Sequence, residues 1–147
     1  KKYFTFCFVR NPFDRLYSSY KFLQKGGVNL HDEKAFSVYM KPYKDFEDFV
    51  LNGLDCKMIY EIIHLVPQSE FICDNDGNIL VDFVGRFENL EKDVLLLSEK
   101  LKKKIILQHH NTNFRDMSYT EIYTPKMIEK VCDIYQSDIN IFEYNFK

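Results

Sequence analysis

The chain contains no tryptophan and no run of eighteen apolar residues, so nothing in it reads as a membrane-spanning helix. Its four cysteines, Cys7, Cys56, Cys73 and Cys132, are scattered without a C-x-x-C pair. That spacing argues against a zinc site or a disulfide framework and predicts buried free thiols in a reducing compartment. No N-x-S/T sequon is present, which disfavours a glycosylated secretory protein. Charge of one sign is also lacking. Twenty lysines and arginines nearly balance twenty-two acidic residues, for a net charge of −2. No global field draws nucleic acid or a membrane surface, and any anion site must be local. Lys1-Lys2 followed by a short apolar run lacks the small-residue cleavage site of a signal peptide. There is no internal repeat and no low-complexity tract.

What is present fits one domain spanning residues 1–147, with 46% hydrophobic and 29% charged residues. Tyr3 to Val9 is aromatic and β-branched without alternation, the pattern of a buried strand. Asn11 and Pro12 form a helix start, Asp14 suits its dipole, and Lys25-Gly26-Gly27 stops it, so a helix is predicted over 12–24. Phe13, Leu16, Tyr17, Tyr20 and Leu23 give that helix one apolar face. An irregular connection, 28–43, follows. The segment 44–65 holds one or two helices, with a break at Asn52-Gly53.

The segment 70–87 reads as strand, turn, strand, hinged on Asp74-Asn75-Asp76-Gly77-Asn78. That turn lacks the ligand spacing and distal glutamate of a calcium loop, so a hairpin turn is expected. An amphipathic helix is expected over 88–103, a short strand over 105–107, a polar loop to Tyr119 and a last helix from Thr124-Pro125 to Gln136. The aromatic tail 139–146 should pack back on the domain. Strands separated by helices predict an α/β fold with a parallel sheet, whose ligands bind at the carboxyl ends of the strands.

Arg10 falls at such a strand end, beside a helix N-terminus. Its planar guanidinium can hold two phosphate oxygens, Ser18 supplies a hydroxyl about two turns into the helix, and backbone N–H groups near Asn11 to Asp14 add positive charge. The pattern alone leaves a second reading open, in which Arg10 pairs with Asp14 or another acid and the serines are only small helix residues.

The run FVRNPFDRLYSSY resembles the 3′-phosphate-binding segment of the sulfotransferases, especially the Golgi carbohydrate-sulfotransferase type and its bacterial relatives. That segment has arginine at a strand end and serine eight positions later, as Arg10 and Ser18 stand here. The resemblance implies that these two bind the 3′-phosphate of 3′-phosphoadenosine 5′-phosphosulfate (PAPS). Arg15 matches too, as a site residue or a packing residue. Downstream, PQSEFI and VDFVGRFENLEKD resemble a later family segment, where a strand ends in an aromatic–glutamate pair before a helix. By that similarity Phe87 lies near the adenine or, alternatively, is a core residue, and Glu88 is structural. HHNTN (His109 to Asn113) falls where the family has a loop closing over the nucleotide, bringing in Asn111 and Thr112. The ending YQSDINIFEY resembles the family's ending.

The resemblance implies a P-loop-NTPase-like sulfotransferase fold, with transfer of a sulfuryl group from PAPS to a hydroxyl or amine of a carbohydrate or small-molecule acceptor, and no metal. Against it, the Lys/Arg-Gly-Thr loop that holds the 5′-phosphosulfate is missing. Lys25-Gly26-Gly27 follows a helix rather than a strand, so the loop is expected upstream of Lys1 and the chain is expected to be the C-terminal part of a longer protein. His110 and His64 are the candidate bases, with His64 also readable as a core or helix-cap residue. The expected compartment is the cytoplasm, or the Golgi lumen should a membrane anchor precede the chain. Two other readings remain: a kinase-like phosphotransferase, for which Asp82 is the only plausible metal ligand, and a non-catalytic interaction domain.

Overall fold

A computed structural model describes residues 3–107 and 118–147. Strand β1 (Phe6–Val9) leads into helix α1 (Pro12–Gln24), followed by α2 (Leu30–Ala35), a π-helical turn (Phe36–Met40), α3 (Phe46–Asp48) and a second π-helical turn (Phe49–Gly53). A 3-10 turn (Met58–Tyr60) and α4 (Ser69–Ile72) precede β2 (Phe83–Arg86). The chain continues as a 3-10 turn (Phe87–Asn89), α5 (Leu90–Leu101), a 3-10 turn (Tyr119–Glu121), α6 (Pro125–Ile134) and α7 (Gln136–Ile141).

Among the described residues the sheet is one parallel pair, in which Phe6 faces Phe83 and Val9 faces Arg86. The molecule is therefore α/β, a small parallel sheet flanked by helices. Parallel pairing requires a long crossover, supplied here by everything from α1 to α4.

Helix α1 forms where its signals place it. The Asn11 side chain accepts from Phe13 N–H, Pro12 opens the first turn, and Gly26 and Gly27 adopt φ of +94° and +61° past its end. Phe13, Leu16, Tyr20 and Leu23 are buried against Met40, Phe49, Val50, Leu65 and Met127. Each such side chain removed from water contributes about 1.5–3 kcal/mol. The core is dense in edge-on rings: Phe13 meets Tyr123 at 5.6 Å and Phe146 at 5.1 Å. A smaller cluster, Val9, Ile72, Phe142 and Tyr144, backs the sheet, so the aromatic tail does pack on the domain.

Several expectations are corrected. Strand β1 is shorter than 3–9 and not fully buried: Phe6 is 46% exposed and only Val9 is buried, because among the described residues β1 has one strand neighbour. Residues 70–72 are helical rather than a strand, and pairing across the turn is reduced to one antiparallel bridge, Cys73 to Ile79. The turn itself is a tight local one. The Asp74 carboxylate accepts from Asp76 N–H and from the backbone and side chain of Asn78, with Gly77 at φ +81°. Residues 105–107 form no strand, and α6 is not the last helix, since α7 follows directly. The thiols are free but not buried: Cys56 is exposed and the other three are half-buried. Among the described residues no helix is long and apolar enough to cross a membrane.

Candidate functional site

Parallel register builds the site. Val9 is paired with Arg86, so Arg10 and Phe87 are the next residues out of two adjacent strands, on the same carboxyl edge. The Arg10 guanidinium lies over the Phe87 ring, 4.4 Å from its centroid, a cation–π contact on a ring that is 47% exposed. Arg10 Nε donates to Asp14 Oδ2 at 2.6 Å. The pairing of Arg10 with Asp14, one of the two sequence readings, is present through one N–H, and among the described residues the terminal Nη groups have no hydrogen-bond acceptor.

Burial pushes the Asp14 carboxyl above the usual carboxylate range, and Arg10 opposes that push. Ser18 lies four residues beyond Asp14, on the same face of α1. It is half-buried, and its hydroxyl has no hydrogen-bond partner among the described residues.

Two of the N–H groups expected to be free at the helix start are engaged within the chain. Asn11 N–H donates to Glu88 Oε1 at 2.5 Å, Phe13 N–H goes to the Asn11 side chain, and Pro12 has no N–H. The protein's own acceptors thus take the Asn11 and Phe13 N–H groups at the positive end of α1. Glu88 has the structural role expected of it, also accepting from the Tyr144 hydroxyl at 3.0 Å. Burial, reinforced by Glu88, raises the Tyr144 pKa.

Arg15 reaches the segment 64–68 instead, where Nη1 donates to the Val66 carbonyl at 2.9 Å. Burial lowers its pKa, while Tyr135 and Asp138 support its charge. His64 is placed by the same segment: Ser19 Oγ donates to its carbonyl at 3.3 Å, about two turns of α1 beyond Arg10. Its Nε2 lies 3.1 Å from Asp32 Oδ1, and its ring packs edge-on against Phe22 at 5.3 Å. Asp32 is held below the usual carboxylate range, first by the Val28 N–H and then by His64.

The structure thus brings Arg10 and Phe87 together, leaves Ser18 about two turns along α1 on the face that bears Asp14, and sets Arg15 and His64 along the 64–68 segment. His109, His110, Asn111 and Thr112 lie outside the described residues. Lys25-Gly26-Gly27 is the end of α1. Asp82 does not lie mid-strand: it precedes β2, at the edge of the sheet opposite Arg10, where it accepts from the backbone and hydroxyl of Thr5. Among the described residues no group of three or more histidines, cysteines or acids is placed to hold a metal ion.

Sequence reasoning missed the roles of Gln68, which grips the Arg10 backbone from 58 residues away, and of Asp138, which holds the Gln68 amide. They stand in two segments that carry the family resemblance, PQSEFI and YQSDINIFEY, but nothing in those segments ties their side chains to Arg10.

The sequence model of the sulfotransferase family matches residues 1–145. Carbohydrate sulfotransferase 11 of Rattus norvegicus is 25% identical over 168 aligned positions, covering 99% of this chain and 48% of the relative. The Mus musculus protein of the same name gives the same figures. An uncharacterized protein of Archaeoglobus fulgidus is 26% identical over 99 positions, covering 67% of this chain and 68% of its own. The chain therefore spans about half the length of the two carbohydrate sulfotransferases it matches. No solved structure matches it.

Proposed function

Since the chain belongs to the sulfotransferase family, and within it is carbohydrate-sulfotransferase-like, we propose that it binds the nucleotide of PAPS for sulfuryl transfer to a carbohydrate or small-molecule hydroxyl or amine. Residues 1–147 act as one domain of a P-loop-NTPase-like sulfotransferase fold in this reading. The observation that carries it is the Arg10 guanidinium, lying over Phe87 at the carboxyl edge of the sheet with neither Nη group hydrogen-bonded among the described residues. A planar pair of donors fits two oxygens of a phosphate, and the Ser18 hydroxyl adds a third contact from the same helix face. Phe87 offers its remaining exposed surface to the adenine.

In the reaction an acceptor oxygen or nitrogen forms a bond to sulfur as the bond from sulfur to the 5′-phosphate oxygen breaks. The acceptor proton passes to a base, and adenosine 3′,5′-bisphosphate leaves. As in phosphoryl transfer, the protein's share is positioning and charge stabilisation. His64 and His110 are the candidates for the base. Donation by His64 Nε2 to Asp32 would fix the tautomer that leaves Nδ1 with its lone pair.

Calorimetric titration of the whole protein with adenosine 3′,5′-bisphosphate, and separately with ATP and magnesium, tests the reading. Binding of the bisphosphate is expected. At about 1.5–3 kcal/mol per charge-assisted hydrogen bond, Arg10→Ala should weaken it roughly a hundredfold and Ser18→Ala roughly tenfold. Tighter binding of ATP would point to a phosphotransferase, and absence of heat with both nucleotides would sink the nucleotide reading altogether.

A further inference from the structure

The backbone of Arg10 is held by a side chain rather than by a third strand. Gln68 Oε1 accepts from Arg10 N–H at 2.9 Å, and Gln68 Nε2 donates to the Arg10 carbonyl at 2.8 Å. One amide thereby supplies both halves of a strand-like pairing, on the residue just past the last ladder pair. Only one of the two orientations of that amide can do so, and Asp138 selects it. Asp138 Oδ2 accepts from the same Nε2 at 3.2 Å and from Gln68 N–H at 2.8 Å. A flipped amide would turn its oxygen onto a carboxylate.

Asp138 itself is 0% exposed, and its other oxygen takes Ser69 N–H at 2.8 Å and Ser69 Oγ at 2.7 Å. Burying a carboxylate is expensive unless its lone pairs are met. Capping α4 would need only the two backbone N–H groups. The bond to Nε2 exceeds that need, and it holds the amide that holds Arg10.

We infer that Gln68, its amide set in one orientation by the buried carboxylate of Asp138, is a positioning residue that aims Arg10 at the 3′-phosphate. The inference rests on the proposed reading of Arg10 as a phosphate ligand. Gln68 touches no substrate. It fixes where β1 ends, and thereby where the guanidinium starts its reach across Phe87.

The test compares two nucleotides on the whole protein by calorimetry: adenosine 3′,5′-bisphosphate, and adenosine 5′-monophosphate, which lacks the 3′-phosphate. Gln68→Met keeps the side-chain length and removes both hydrogen bonds. It should weaken the bisphosphate roughly tenfold to a hundredfold and leave the monophosphate unchanged, because misplacement by about 1 Å is costly only to the group being aimed. In an Arg10→Ala background the same substitution should add nothing, as expected of two residues acting through one contact.

Equal loss for both nucleotides, an additive loss in the Arg10→Ala background, or no loss at all would overturn the inference. Should Gln68→Met not fold by circular dichroism, Gln68→Asn carries the same comparison, since it keeps a neutral amide but withdraws it by one methylene from the Arg10 backbone. Arg10→Ala without effect on the bisphosphate overturns the phosphate reading itself. Arg10→Ala with a large effect and Gln68→Met with none overturns only the positioning role.

Discussion

Asp32 is a buried residue whose carboxylate serves two neighbours, the Val28 N–H at 2.9 Å and His64 at 3.1 Å, while its own N–H donates to Asn29 Oδ1 at 3.1 Å. Its pKa is held down, first by the Val28 N–H and then by His64. The unfolded chain therefore binds more protons than the folded one over that interval. The stabilisation is complete above the unfolded value of about 3.9 and is lost as the pH falls through the lower folded value. Asp14 runs the other way. Burial raises its pKa, so its charged form costs stability at neutral pH and acid relieves that cost. Urea unfolding measured from pH 7 down to pH 2 should show Asp32→Asn less stable than the parent at neutral pH and losing less on acidification. Equal slopes for the two proteins would refute this account of Asp32. Gly27 fits the same picture, because a Cβ there would lie 2.2 Å from Asp32 Cβ.

At the scale of elements, the sheet is the fragile part. Its two strands have four residues each, and Phe8 lays its ring across the partner at Gly85, where an added Cβ would come within 2.4 Å of that ring. Gly85→Ala should therefore destabilise the fold by about 1–3 kcal/mol, read as a lower urea midpoint with an unchanged slope. A shift under about 0.5 kcal/mol would mean that the Phe8 ring moves aside freely.

The contrast with α1 shows what a sequence can carry. The bounds of α1 were legible because each is set within a few residues, by Asn11 and Pro12 at one end and Gly26-Gly27 at the other. Segment 70–73 was not legible. Glu-Phe-Ile-Cys suits a strand on local preference, and Asp138, 69 residues from Ser69, supplies the acceptors that let a helical turn start there. Helix α7 was missed for a related reason. The break at Tyr135 has no proline or glycine to mark it, and that tyrosine is pinned instead by its hydroxyl bond to the Leu65 carbonyl at 2.8 Å.

For the whole molecule, the C-terminal tail closes the structure onto its beginning. Asn145 accepts at its carbonyl from the Asn11 side chain, Tyr144 fixes Glu88, Phe142 accepts at its carbonyl from Arg86, and Phe146 stacks on Phe13. Four residues of the tail thus touch the two strand ends and the first turn of α1. A protein ending at Ile141 should lose several kcal/mol, with its thermal midpoint lowered by ten degrees or more, on the order expected for deleting buried aromatic residues. An unchanged midpoint would show that the tail is decoration. The candidate site was legible to the same degree as the fold. Arg10 and Ser18 stand in one continuous motif, whereas Gln68, Glu88, Asp138 and Tyr144, which hold that motif in place, come from segments that only the folded chain brings near it.

The half-exposed ring beneath Arg10 also makes the molecule its own spectroscopic instrument. The chain has ten tyrosines and no indole, so Phe87→Trp would install a single red-shifted emitter against the guanidinium, with every other fluorophore spectrally separable from it. Arrival of an anion at Arg10, or of a purine at the ring, could then be followed in real time from light that originates at one known address.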